Sequence, residues 1–235
     1  NHLKKIKFLM NKATLMNDIF GWDAPTWSKA IPVWKECIEN NNYKKGLEIG
    51  NAFGGGSLFL AKYGINMVCS NIHTPNKKTK QIHKKYIFNN KIKYEVIDAM
   101  KISYPDNYFD VVFVKSIFGF FNTSDRKIVI DEIYRVLKPS GSLLFAENMK
   151  GGFSHQMARK LFVRWGKKWN YFSQDDLIDL FSKFNNKKIY YSGFLTLFFV
   201  RYKILYKLAL FLDYCLFFVP DSKKYVSHGY MSKTI

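Results

Sequence analysis

From residue 44 onward, short apolar runs alternate with stretches whose apolar positions recur at helical spacing, the signature of a parallel sheet with crossover helices. The runs predict strands at Lys45–Ile49, Asn66–Ser70, Lys93–Ile97, Phe109–Val114, Ser142–Ala146 and Lys188–Leu197, with a last strand inside Lys224–Ile235. Between them the pattern predicts helices near Ser57–Tyr63, Lys78–Ile87, Asp125–Leu137 and Gln174–Phe184. Gly64 supplies a stop for the first helix. Ser124 with Asp125 supplies an N-cap for the third, and Ser173 followed by Asp175 and Asp176 one for the fourth. The expected fold is α/β, a doubly wound and mostly parallel sheet with helices on both faces.

Three stretches break that rhythm. Residues 1–43, with Trp22, Trp27 and Trp34, read as a helical cap or lid preceding the main domain at 44–235. Residues 150–172 are longer than a usual connection from strand to helix and carry His155, Arg159, Lys160, Arg164, Lys167 and Lys168, so they read as an insertion that builds an acceptor site. Residues 201–219 form an added hydrophobic, basic helix before the last strand. It is expected either to be buried on the domain or in a homodimer, or to lie on a membrane surface. Arg201, Lys203, Lys207 and Asp213 interrupt its apolar run, which stays short of the roughly 18 residues a spanning helix needs.

Composition narrows the partners. With 37 Lys and Arg against 18 Asp and Glu, the net charge is +19, a field that favours anionic small molecules, anionic membranes or nucleic acid. The basic residues are scattered along the chain, which argues against nucleic acid. The cysteines Cys37, Cys69 and Cys215 lie far apart and offer neither a disulfide framework nor a CxxC site, and His73, His83 and His228 have no metal-ligand spacing. A cytoplasmic setting and no metal are expected.

The chemistry centres on Gly46-Leu47-Glu48-Ile49-Gly50-Asn51-Ala52-Phe53-Gly54, where the first strand turns into the first helix and glycines let the backbone approach a ligand. Further along stand Ile97-Asp98-Ala99, Tyr104-Pro105-Asp106-Asn107-Tyr108-Phe109-Asp110-Val111-Val112 and Glu132-Ile133-Tyr134-Arg135-Val136-Leu137-Lys138-Pro139-Ser140-Gly141. These four ordered segments resemble the class I S-adenosylmethionine (SAM) dependent methyltransferases, with similarity strongest over residues 44–148. The resemblance implies the Rossmann-like methyltransferase sheet and SAM as cofactor.

It also implies roles for individual residues. Gly50, Ala52 and Gly54 would lie against the methionine part and ribose, Glu48 would help order the amino group, Asp98 and Ala99 would meet the adenine, and the backbone at Lys115 and Ser116 would close the pocket near the sulfonium. Trp27 resembles a lid aromatic over SAM. Two positions depart from the family: Ala52 replaces its second glycine, and Asn71 stands where an acidic residue grips the ribose hydroxyls. That second change is expected to weaken SAM binding by about 1–3 kcal/mol.

Methyl transfer from a sulfonium needs alignment more than acid–base help, and a base is required only where the nucleophile must lose a proton. If the acceptor is a hydroxyl, Glu147 and His155 are the candidate bases. Arg159 and Arg164 are the candidate pair for a phosphate or carboxylate, which guanidinium recognises through two parallel donors. The expected reaction is O-methylation of an anionic small molecule or a glycan intermediate of polysaccharide biosynthesis. RNA, a lipid or a quinone are alternative acceptors, and a non-catalytic SAM-fold binding partner is the alternative outside enzymes.

Overall fold

The computed structural model describes residues 14–50, 53–74, 76–162, 169–216 and 218–234. Its centre is one seven-stranded sheet of β1 (Lys45–Ile49), β2 (Asn66–Asn71), β3 (Ile92–Val96), β4 (Phe109–Lys115), β5 (Leu137–Asn148), β6 (Asn185–Ser192) and β7 (Val226–Ser232). The strands lie in the order β3-β2-β1-β4-β5-β7-β6. The first five pair in parallel, whereas β7 runs antiparallel to both β5 and β6. The parallel pairings place Ile49, Asn71 and Lys115 at one edge of the sheet, the carboxyl edge where open α/β sheets bind ligands.

The helices are residues 14–20 (α1), Ala24–Trp27 (α2), Ile31–Glu39 (α3), Gly55–Lys62 (α4), Lys77–His83 (α5), Thr123–Val136 (α6), Phe153–Phe162 (α7), Gln174–Leu180 (α8), Thr196–Phe199 (α9) and Lys203–Cys215 (α10). Two apolar clusters sandwich the sheet. One joins Val129, Ile130 and Ile133 of α6 and Leu177 of α8 to Leu47, Val112 and Leu143. The other joins Ile19, Trp34, Leu58 and Phe59 to Met67, Val111 and Leu144. Strands buried on both faces need continuous apolar runs, which is why β4 and β5 are legible in the sequence.

Local chemistry shifts several boundaries. Asn122, not Ser124, caps α6: its Oδ1 accepts from the Asp125 amide at 2.9 Å, and the helix starts at Thr123. Ser173 does cap α8, in a reciprocal box with Asp176. The predicted sixth strand ends at Ser192, because Gly193 at φ +75° turns the chain into α9. β5 starts at Leu137, earlier than expected.

The opening segment is partly core. Trp34 is fully buried, and its Nε1 donates to the carbonyls of Phe145 (3.2 Å) and Gly229 (3.1 Å), bridging β5 and β7. Trp27 is fully buried as well, edge-on to Trp22. Trp27, expected as a lid aromatic over the cofactor, is instead enclosed, with the Lys115 ammonium 4.7 Å over its ring. The expectation that α10 is buried on the domain is corrected too, since Ala209 is its one buried residue.

Candidate functional site

The turn after β1 is built by Glu48. Its carboxylate is buried and accepts from the amides of Gly56 (3.0 Å) and Ser57 (2.8 Å), the free N–H groups of the first turn of α4. An acid at a helix N-terminus satisfies donors that would otherwise be orphaned and opposes the helix dipole. The Glu48 carboxylate thus holds the loop. The backbone reverses at Gly50 and Gly54, with φ near +70° at both, a region costly for a residue with a Cβ. A Cβ at Gly50 would meet Ile117 Cγ2 at 2.4 Å, and one at Gly54 would meet the His83 ring at 2.5 Å. Ala52 lies outside the described residues.

Around this turn gather the ends of the next strands. Asn71 ends β2 with its Oδ1 accepting from the Ile72 amide at 2.8 Å. Beyond β3, Asp98 is exposed and accepts from the Met100 amide at 2.9 Å, with Ala99 buried beside it. After β4 the Lys115 ammonium donates to the Phe20 carbonyl at 3.0 Å and sits 4.7 Å over the Trp27 ring. Burial lowers its pKa to about 8, against the opposing pull of Glu48 and Glu147. The chain then passes through Ser116 at φ +52° into the turn at Ile117 and Phe118. An exposed carboxylate, a small buried neighbour and a tight glycine turn fit a flat, hydrogen-bonding nucleoside such as that of SAM.

Two expected bases are corrected by what holds them. Glu147 is 1% exposed; one oxygen accepts from the amides of Ile117 (3.0 Å) and Phe118 (3.1 Å), the other from Asn148 (2.9 Å). Burial pushes its pKa up to about 7, yet the carboxyl group anchors the turn after β4. His155 is fully buried, with Nδ1 accepting from the Gly152 amide at 3.0 Å and Nε2 donating to the Phe194 carbonyl at 2.6 Å. Both ring nitrogens are spent, and burial lowers the pKa, so the ring is a neutral strut between α7 and the Phe194 turn.

Beside the turn after β4 opens a cleft of about 940 Å³ between α6, α7 and residues 169–176. Arg126, Lys150, Arg159 and Lys160 line it, against one acid, Asp176. Arg159 is 4% exposed; its Nη1 donates to the carbonyls of Met149 (2.7 Å) and Lys150 (2.9 Å), and its guanidinium lies 4.0 Å over the Tyr171 ring. The buried Nη2 of Arg159 and the Tyr171 hydroxyl have no hydrogen-bond partner among the described residues. Buried donors left without acceptors cost about 1–3 kcal/mol each, and a ligand anion removes that cost. Arg126 joins the cleft to the turn by donating from Nε to the Phe118 carbonyl at 3.0 Å. Arg164 lies outside the described residues.

Sequence reasoning missed Arg126 and Tyr171. Arg126 reads as a surface residue of a first helical turn, and Tyr171 as one more aromatic in a basic stretch. The bridge between Met149 and Phe172 is what brings the insertion back beside β5, and it has no local signal.

Residues 47–145 match the family described as Methyltransferase domain. The chain is 36% identical over 107 residues to a glycine/sarcosine/dimethylglycine N-methyltransferase of Actinopolyspora halophila, covering 44% of this chain and 18% of that protein. It is 30% identical over 115 residues to a phosphoethanolamine N-methyltransferase of Plasmodium falciparum, covering 47% and 41%. The chain thus spans less than half the length of either relative. The structure of Haemonchus contortus phosphoethanolamine N-methyltransferase 2 with S-adenosylmethionine superposes at a TM-score of 0.63 and 18% identity, over 89% of this chain and 53% of that one. The glycine turn after β1, the strand order and this match lead to one assignment: residues 47–145 carry a methyltransferase domain, and the chain has the Rossmann-like fold of the class I SAM-dependent methyltransferases.

Proposed function

We propose that this chain binds SAM at the carboxyl ends of β1 to β4 and methylates the amine of a small acceptor that also carries a phosphate or carboxylate. The observation that carries the reading is the pair of unpartnered buried donors, Arg159 Nη2 and the Tyr171 hydroxyl, in a cationic cleft joined to the turn after β4. SAM supplies a sulfonium methyl that is already electrophilic. The protein has to desolvate and align the nucleophile.

The acceptor atom follows from the two corrected bases. A hydroxyl gains most from a base, and Glu147 and His155 are both committed to backbone partners. An amine that has lost its ammonium proton to solvent attacks through its own lone pair, and an N–H proton that remains is given up after transfer. Nitrogen therefore replaces the oxygen expected from sequence. Two relatives are named for N-methylation of compounds pairing an amine with a carboxylate or phosphate, which supports the same choice. Nothing observed supports a glycan acceptor.

The test is uptake of labelled methyl from SAM by a panel of phosphoethanolamine, glycine, sarcosine, uncharged amines and the corresponding alcohols. Transfer to anionic amines and not to uncharged amines or alcohols is expected. Transfer confined to hydroxyl or uncharged acceptors overturns the reading.

A further inference from the structure

Helix α10 is inverted in polarity. Its inward side carries Asp213, whose carboxylate accepts from the amides of Phe194 (3.0 Å), Leu195 (2.7 Å) and Thr196 (3.3 Å), and Tyr206, whose hydroxyl donates to buried Asp23. Its outward side is apolar, with Ile204 83%, Leu208 53% and Phe211 63% exposed. These fall at i, i+4 and i+7, on one stripe of the helix. A water-facing helix shows the opposite arrangement. The exposed apolar surface continues at both ends, through Tyr202 and Phe218.

The flanks identify the occupant. Lys203 and Lys207 border the stripe, Arg201 precedes it, and the single acid between residues 201 and 219, Asp213, is turned inward. A second copy docked on this face by two-fold symmetry would set these cations against themselves. An anionic lipid surface neutralises them while its acyl boundary takes up Ile204, Leu208 and Phe211. No helix among the described residues is long and apolar enough to cross a membrane, so α10 would lie in the plane of the interface. α10 packs on α9 and α9 on α7, whose Phe153, Met157 and Leu161 form another exposed stripe beside the cleft-lining Gln156 and Lys160.

We infer that α10 is an interfacial helix that holds this protein on anionic membranes through its outward apolar stripe and the basic residues beside it. The inference is independent of the methyl-transfer reading, because its readout involves neither cofactor nor acceptor.

The experiment is co-sedimentation of the full chain with vesicles of phosphatidylglycerol and phosphatidylcholine in equal parts, and with phosphatidylcholine alone, alongside analytical ultracentrifugation without lipid. The wild type is expected to partition onto the anionic vesicles about tenfold more strongly than onto the neutral ones. The double variant Ile204→Ser/Phe211→Ser, altered at exposed positions, should lose about tenfold of that partitioning with unchanged thermal unfolding, and Lys203→Glu/Lys207→Glu should lose the preference for anionic lipid. Three results overturn the inference: no vesicle binding by the wild type, vesicle binding unaffected by both double variants, or a dimer that Ile204→Ser/Phe211→Ser dissolves in a protein that ignores vesicles.

Discussion

His83 clamps Gly54: its Nε2 donates to the Gly54 carbonyl at 2.9 Å, while its Nδ1 accepts from the Tyr94 hydroxyl at 2.9 Å. The end of α5 and the strand β3 thereby hold the turn that follows β1. Replacing His83 by Ala leaves the Gly54 carbonyl and the Tyr94 hydroxyl without this partner, at a cost of about 1–3 kcal/mol. His83→Ala should therefore lower the urea midpoint and weaken SAM binding in calorimetric titration. Gly54→Ala should do more, because a methyl there runs into the imidazole. An affinity for SAM untouched by both changes would detach the clamp from the cofactor.

Asn71 ends β2 as an amide where the resembling family has an acid. Restoring the carboxylate with Asn71→Asp should tighten SAM binding by about 1–3 kcal/mol, roughly five- to 150-fold in Kd. Titration of the variant with S-adenosylhomocysteine checks whether the gain comes from the ribose, since that product shares it. A loss of affinity for both would show that the side chain faces elsewhere.

Arg159 offers a sharper test of the acceptor cleft. Arg159→Lys keeps a charge but loses the planar fork, and is expected to raise KM for anionic amines about tenfold or more with SAM affinity unchanged. Arg159→Gln removes the charge as well and should raise KM further. Equal losses with anionic and uncharged amines would mark the residue as a support for Met149 and Lys150 alone.

How much of this was legible beforehand differs between sheet and site. β1 is legible to the residue, since Leu47 and Ile49 flank Glu48 in an alternating run with a glycine turn behind it. The cap of α6 was misplaced because Asn122 and Ser124 both suit a cap, and only the three-dimensional path shows which oxygen reaches the Asp125 amide. His155 and Glu147 looked like bases because a sequence displays titratable groups without their partners. The partners are backbone atoms of Gly152, Phe194, Ile117 and Phe118, and no residue identity announces them. Arg159 stands out in the sequence because guanidinium recognises a phosphate or carboxylate through two donors, and the structure adds its place on the wall of the cleft.

Acid should unfold the protein early. Burial pushes the His228 pKa down to about 4 from an ordinary 6.5, and lowers those of His83 and His155 as well. Between about pH 4 and 6.5 the unfolded chain binds a proton at His228 that the native state refuses, so stability rises with pH across that window and is lost as pH falls. Glu147 acts in the opposite sense: raised to about 7 from 4.5, it favours the native state at low pH and loses that contribution as pH rises toward 7. His83 and His155 act with His228, while buried Asp23, raised as well, acts with Glu147; the urea midpoint is expected to be lower at pH 5 than at pH 7. His228→Asn should flatten the slope by up to one proton, about 1.4 kcal/mol per pH unit. An identical slope in the variant would mean that His228 titrates normally.

Strand β7 lies between β5 and β6 although it follows both in the chain. As the polypeptide leaves the ribosome, β5 and β6 emerge before the strand that must part them: β5, paired with β4 on one side, keeps its other edge open, and β6 waits for its neighbour, until residues 226–232 arrive. The Trp34 indole waits as long, because one of its two acceptors is the carbonyl of Gly229. Synthesis therefore passes through an interval in which two half-built edges are open to wrong pairing, and a chaperone that shields sheet edges would raise the yield of this protein more than one that only slows aggregation of finished chains.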